Sequence, residues 1–409
     1  MNICCLWFKE YSSIFFVLSL CNILADMKGI LILIFFLLIS FLAQSQLTSV
    51  QFNNMDSATG WIPFEFYNNQ IYLSVTINGH HATAMLADGI TSRIDRDFAN
   101  SIGLLPQADG HQLDEMPLEI QIANLRLRDI RAPIMPPRHT GHPRDLILGD
   151  ELFNELAVDI DFARRRMSLC YPAGITPPVG AVDLPLSRTG DSRSVPVAVE
   201  GETPMLFQVY LGDPAPLTIY HLYSETHGLL QGRPVSVRLG AGGGKYPREA
   251  VATVSRISFA GVVFSRVPGT FPADSVSGPQ PAGVVGHIGM GTLARYHLIF
   301  DYPHNLLFAA PYAGVAQEQF PKDNSGLFLI EKQGSYIVEF ASPHSPASQS
   351  GFKAGDTVME INHQPVSAFQ GQAWQTPGMG SLRFTDPGTT YTFLLKDGSI
   401  RKLETAAFF

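Results

Sequence analysis

The chain has 409 residues, and at about 100–200 residues per domain this predicts two to four units rather than one core. Hydrophobic residues make up 45% and aromatics 11%, enough to build buried cores, so wholesale disorder is excluded. With 28 Lys plus Arg against 36 Asp plus Glu, the formal net charge of −8 leaves no global positive field to hold nucleic acid or acidic lipid.

In chain order, two apolar runs come first, at residues 14–24 and 30–42. The second follows Met27-Lys28-Gly29 and ends on Ala43-Gln44-Ser45, the arrangement of a basic start, an apolar run and small residues for signal peptidase. Both fall short of the ~20 residues of a spanning helix. Residues 1–45 are therefore expected to be a leader that sends the chain to an extracytoplasmic, periplasmic or secreted location, starting at Met1 or Met27. A helical hairpin anchored in the membrane is the alternative. Cys4, Cys5 and Cys21 leave with such a leader, so Cys170 remains alone and no internal disulfide is expected.

The 36 Gly and 29 Pro are scattered, which favours short strands joined by turns. The strands repeat. Leu146-Ile147-Leu148-Gly149 is followed by Phe153, Val158, Ile160, Asp161 and Phe162, and 140 positions on stand Ile288-Gly289, Leu293, Leu298, Phe300, Asp301 and Tyr302. Apolar alternation before each Asp reads as a strand, with Arg164-Arg165-Arg166 and Pro303-His304-Asn305 turning into the next. The fronts of the halves repeat as well. A strand over residues 71–77 and an Asn78-Gly79 turn lead into Ala87-Asp88-Gly89, while Val195-Pro196-Val197 and a Glu200-Gly201 turn lead into Tyr210-Leu211-Gly212. Ile94 lies five residues after Gly89 and Leu217 five after Gly212. Two similar β lobes follow. Past a joint at residues 316–321, the segments Ser325-Gly326-Leu327-Phe328, Ser345-Pro346-Ala347, Gly355-Asp356-Thr357-Val358 and Ile361-Asn362 are spaced as a separate small α+β module.

The strand, small-residue turn and Gly, followed some 60 residues later by Ile147-Leu148-Gly149, resembles one lobe of a pepsin- or retropepsin-like aspartic protease. The repeat supplies a second lobe, and the C-terminal module resembles a PDZ domain. Together they are similar to bacterial exported proteins that pair an aspartyl-protease fold with a PDZ domain. The resemblance implies a mainly β, bilobal β-barrel fold followed by a small α+β domain, with lobes at 60–175 and 180–312 and the PDZ-like unit at 320–409.

The chemistry departs from the resemblance. The family's catalysis needs Asp-Thr/Ser-Gly in each lobe, two carboxylates sharing one proton. Gly89 and Gly212 place Ala87 and Tyr210 at the two acid positions, with Asp88 and Leu211 at the Thr/Ser positions. Asp88 and Asp213 are the candidate displaced acids. Strand alternation predicts that a carboxylate one residue out of place points away from the lobe interface. His80-His81 and His139-Thr140-Gly141-His142 match no standard zinc spacing, residues 240–244 lack the Lys-Ser/Thr of a phosphate loop and read as a hairpin over the cleft, and Ser92 and Ser345 lack triad partners. No cofactor or metal is expected.

A PDZ-like unit implies a polypeptide or protein C-terminus as partner, with Ser325, Gly326, Leu327 and Phe328 as the carboxylate loop and edge strand, and a second helix near residues 368–375 that Pro377-Gly378 cuts short. The expected function is that of a catalytically impaired pseudo-protease that binds polypeptide. Two alternatives stand beside it: an endopeptidase using Asp88 and Asp213, and a structural subunit whose cleft Tyr210 blocks. Oligomeric state is unspecified.

Overall fold

The computed structural model describes residues 49–105, 115–136, 142–189, 192–240, 248–273, 282–332, 334–369 and 379–409. The leader, His139, the glycine run at 241–244 and the expected helix past residue 369 lie outside the described residues.

Each half of the repeat closes into a six-strand barrel. In the first, Gln70–Ile77, His80–Leu86, Leu146–Leu148, Arg93–Asp95, Leu125–Met135 and Glu115–Ile122 pair in that order, and the last returns to the first. In the second, the ring runs Ser192–Val199, Met205–Tyr210, Val284–Gly289, Leu217–Ile219, Val262–Phe271 and Arg248–Phe259, closed by Ala198 opposite Ser258. Corresponding hairpins turn on Asn78-Gly79 and Glu200-Gly201, all four residues at positive φ, which matches the right-handed twist of the flanking strands. Closure removes the exposed sheet edges that a single lobe would present.

A third sheet belongs to both halves. Its order is Ile62–Pro63, Arg166–Cys170, Ala157–Asp161, Tyr296–Asp301, Leu306–Pro311 and Val182–Pro185. At its centre Asp159 pairs with Ile299, its own equivalent 140 positions on, so the local two-fold axis of the repeat passes through that pair. Asp161 and Asp301 are both buried, and each accepts a bond from the backbone N–H three residues on, Arg164 at 3.2 Å and His304 at 3.3 Å. The repeated Asp is thus the residue that fixes each hairpin turn. One apolar core runs through both barrels and the shared sheet, with Ile77, Leu148, Phe207 and Phe300 fully buried.

The C-terminal residues form a further six-stranded sheet. Leu327–Lys332 is its edge strand, followed inward by Ser335–Ala341, Thr357–Ile361, Thr390–Leu395 and Ile400–Glu404, with Gln364–Pro365 beside Thr357–Ile361. It has a core of its own around Leu327, Val338, Phe393 and Leu403. It leans on the second barrel through Ser236, whose hydroxyl donates to the Pro343 carbonyl at 2.9 Å, and through Lys322, which donates to Thr253 Oγ1 at 2.8 Å.

Candidate binding cleft between the two barrels

The cleft is built on two corresponding loops. Strand His80–Leu86 runs into Ala87-Asp88-Gly89, and strand Met205–Tyr210 into Leu211-Gly212-Asp213. Across from each loop stands a glycine, because a Cβ on Gly149 would lie 2.2 Å from Ile90 O, and one on Gly289 would lie 2.3 Å from Ala215 O. The next residues, Asp150 and Met290, donate their N–H groups to Ile90 O and Asp213 O, both at 2.8 Å. Ile90 and Asp213 therefore occupy equivalent places, and so do Gly89 and Gly212, Asp88 and Leu211, Ala87 and Tyr210.

Ala87 is fully buried and packs in a small apolar cluster with Tyr72, Met85, Met135 and Ile147. Asp88 is 1% exposed, and neither residue lines the cleft. The expectation that Asp88 points away from the lobe interface is corrected by its bonds. Oδ1 accepts from Leu211 N of the second barrel at 2.6 Å, and Oδ2 accepts from Tyr302 OH at 2.5 Å. The strand ends at Leu86, so the period of two does not extend to residue 88, and the loop turns the carboxyl inward. Burial pushes the Asp88 carboxyl up to about 6, although the Tyr302 and Leu211 bonds pull the other way. Asp150 accepts from Gly89 N at 2.7 Å, and burial together with the Asp88 charge raises it to about 7. Arg193, buried, lies 5.1 Å above the Tyr302 ring. This makes an acidic joint beneath the cleft floor, in which Asp88 is buried and Asp150 half-buried.

Asp213 has a different set of partners. It lines the cleft and accepts from Ala215 N at 2.9 Å, Thr218 Oγ1 at 2.9 Å and His287 Nε2 at 2.7 Å. Burial alone raises this carboxyl, but the His287 bond and charge outweigh it and hold the group well below the usual carboxylate range. Asp88 and Asp213 share no hydrogen-bond partner. Tyr210 covers the space above the loops, its ring atoms crowding the place of a Gly212 Cβ at 2.8 Å. Burial and the Asp88 and Asp213 charges push its phenol up to about 12, so it stays protonated.

The cleft is about 1600 Å³ and takes lining from both barrels and from the C-terminal sheet. The turn into the first barrel and the first residue of its opening strand reach across the cleft floor, where Asn69 Nδ2 donates to Pro214 O at 2.9 Å and Gln70 Nε2 to Gly212 O at 3.4 Å. His142 is buried, stacks on Tyr67 and lies 3.4 Å from Glu65, which gives it a structural place in the wall. Among the described residues no three His, Cys, Asp or Glu side chains gather as a metal site, and no helix is long and apolar enough to cross a membrane.

On the C-terminal side, Leu329 and Ile330 of the edge strand and Leu382 and Phe384 opposite line the same space. Two donors of the Gly-bearing loop are already occupied, since Ser325 N and Gly326 N bond Asp323 Oδ1 at 3.0 and 2.8 Å while Arg383 Nε holds Oδ2 at 2.7 Å. Gly326 sits at φ +66°, and a Cβ there would lie 2.2 Å from Ser345 Cβ. Gly326→Val is expected to destabilise the C-terminal unit by on the order of 3 kcal/mol. Limited proteolysis and a thermal melt of the full chain would detect it as early loss of this unit, and unchanged protease resistance would refute it.

Tyr302, His287, Asp150, Asn69 and Gln70 were not singled out by the sequence. One signal was available for Tyr302: its repeat equivalent is Phe162, and the equivalent of Asp88 is Leu211, so the first half carries an acid and the second a phenol, each where the other half is apolar.

No protein-family model matches the chain, and no curated protein matches it. Among solved structures it is similar to a retropepsin-like aspartic protease from Rickettsia conorii, at 18% identity over 33% of this chain and 92% of that one, with a TM-score of 0.24. It is also similar to an aspartic proteinase from Irpex lacteus, at 10% identity over 64% of this chain and all of that one, with a TM-score of 0.40. The strand order and loop geometry above stand without these likenesses.

Proposed function

We propose that the chain is an exported, aspartic-protease-like protein without acid-protease activity that binds an extended polypeptide in its cleft. The supporting observation is the fate of the acids: Ala87 lies sealed in an apolar cluster, Tyr210 fills the second position, and Asp88 is spent on Leu211 N and Tyr302. A dyad needs two carboxyls within reach of one water, and this arrangement supplies none. The C-terminal unit is taken as PDZ-like. Its edge strand Leu327–Lys332 is open to addition of a polypeptide strand, while the expected carboxylate loop is corrected, because the N–H groups of Ser325, Gly326 and Leu327 are spent on Asp323 and on Ser325 Oγ.

Binding of fluorescent unfolded polypeptides, followed by anisotropy, tests this reading. Tyr210→Ala, which removes the ring above Gly212, is expected to tighten binding several-fold, because it widens the floor without exposing an unpaired charge. Absence of binding by the wild-type chain would sink the proposal, and inhibitor-sensitive cleavage would favour the endopeptidase alternative.

A further inference from the structure

Polypeptide binding does not call for an imidazole held by a carboxylate, yet the second barrel presents one to the cleft. His287 stands on strand Val284–Gly289 and its Nε2 meets Asp213 Oδ2 at 2.7 Å. Asp213 Oδ2 accepts from Nε2–H, and in the neutral ring that tautomer leaves the lone pair on Nδ1. Nδ1 makes no hydrogen bond to the described residues and is not a buried orphan, and His287 lines the cleft. Tyr210 and Tyr220 flank the ring, with centroids at 5.4 and 6.0 Å in edge-on geometry, and both line the same space. Burial raises both phenols, so both remain donors, and neither hydroxyl has a partner among the described residues.

We propose that His287, oriented by Asp213, is a general base that hydrolyses carboxylic esters in the second barrel's half of the cleft, an activity separate from polypeptide binding. Nδ1 takes a proton from water as the water oxygen bonds to the ester carbon. The C=O electron pair moves to the carbonyl oxygen, where Tyr210 and Tyr220 donate hydrogen bonds. Collapse breaks the bond to the alcohol oxygen, which leaves with the proton from Nδ1, and the products are acid and alcohol. Water is the nucleophile because Thr218, the hydroxyl beside the pair, gives its proton to Asp213. Esters are preferred to amides because an alkoxide or phenoxide leaves with less protonation than an amine.

The test is hydrolysis of p-nitrophenyl butyrate by the full chain near neutral pH. Saturable turnover is expected. His287→Gln keeps an N–H for Asp213 but removes the base, and kcat should fall about 100-fold or more. Asp213→Asn, a change at a positioning residue, should lower kcat with little change in KM. His297→Gln removes a similar pair, His297 Nε2 with Asp159 at 2.6 Å on the shared sheet, and should leave turnover unchanged. Turnover no faster than buffer, or turnover that survives His287→Gln, overturns the proposal. Should His287→Gln fail to fold by circular dichroism, the nearly isosteric Asp213→Asn decides the matter, with an unchanged kcat overturning the proposal. Polypeptide anisotropy on the same samples separates loss of this activity from loss of the binding function.

Discussion

Purified protein is expected to leave a denatured protein substrate uncut from about pH 3 to 7, the range in which carboxylate dyads share a proton. General acid–base help typically contributes about 10²–10⁴-fold, and here neither acid position can give it. Tyr210, pushed up to about 12, takes no proton from water in this range. Restoring the acids is expected to fail for a reason that spacing alone does not reveal. Ala87 is fully enclosed by Tyr72, Met85, Met135 and Ile147, so Ala87→Asp buries a carboxyl without a partner. A cost on the order of 3–5 kcal/mol follows, visible as a large drop in the thermal midpoint with no gain in cleavage. Cleavage by the wild type that an aspartic-protease transition-state mimic blocks and Asp88→Asn abolishes would reverse this conclusion.

Stability is expected to rise on mild acidification, and Asp88 is expected to carry a large share of the rise. Its folded-state pKa of about 6 exceeds the ordinary 3.8, so the folded chain holds the proton more tightly than the unfolded one. The stabilisation is fully present below the unfolded value and is lost as pH rises through about 6. Asp150 adds a loss of the same sign extending through about pH 7. Asp213 works oppositely, but its pKa is lowered, so its contribution changes only in stronger acid, below the ordinary carboxylate value. Between about pH 4.5 and 7.5 the slope therefore belongs mainly to the acidic joint. At about 1.4 kcal/mol per pKa unit, Asp88 accounts for on the order of 3 kcal/mol. Asp88→Asn, whose amide keeps an acceptor for Leu211 N, should flatten that slope in urea titrations at several pH values. Asp88→Ala, which leaves Leu211 N and Tyr302 OH without their acceptor, should lower stability at all of them. Equal slopes for wild type and Asp88→Asn would refute the assignment.

By itself the sequence determined the repeat, because hydrophobic alternation, turn residues and the spacing to Gly149 and Gly289 are local and survive in one dimension. It also determined that Ala87 and Tyr210 stand at corresponding positions. Closure of each half into a barrel required pairings such as Thr76 with Gln121 and Ala198 with Ser258, and the shared central sheet required pairings across about 140 residues, of which the chain gives only the repeat as a hint. The partners of the acids were decided only by tertiary structure. Asp88 finds Leu211 and Tyr302, 123 and 214 positions away, and Asp213 finds His287, 74 positions away. Side-chain direction in the loop after Leu86 follows neither a period of two nor one of 3.6, so whether a carboxyl faces the cleft, the neighbouring barrel or an imidazole depends on how the two barrels pack.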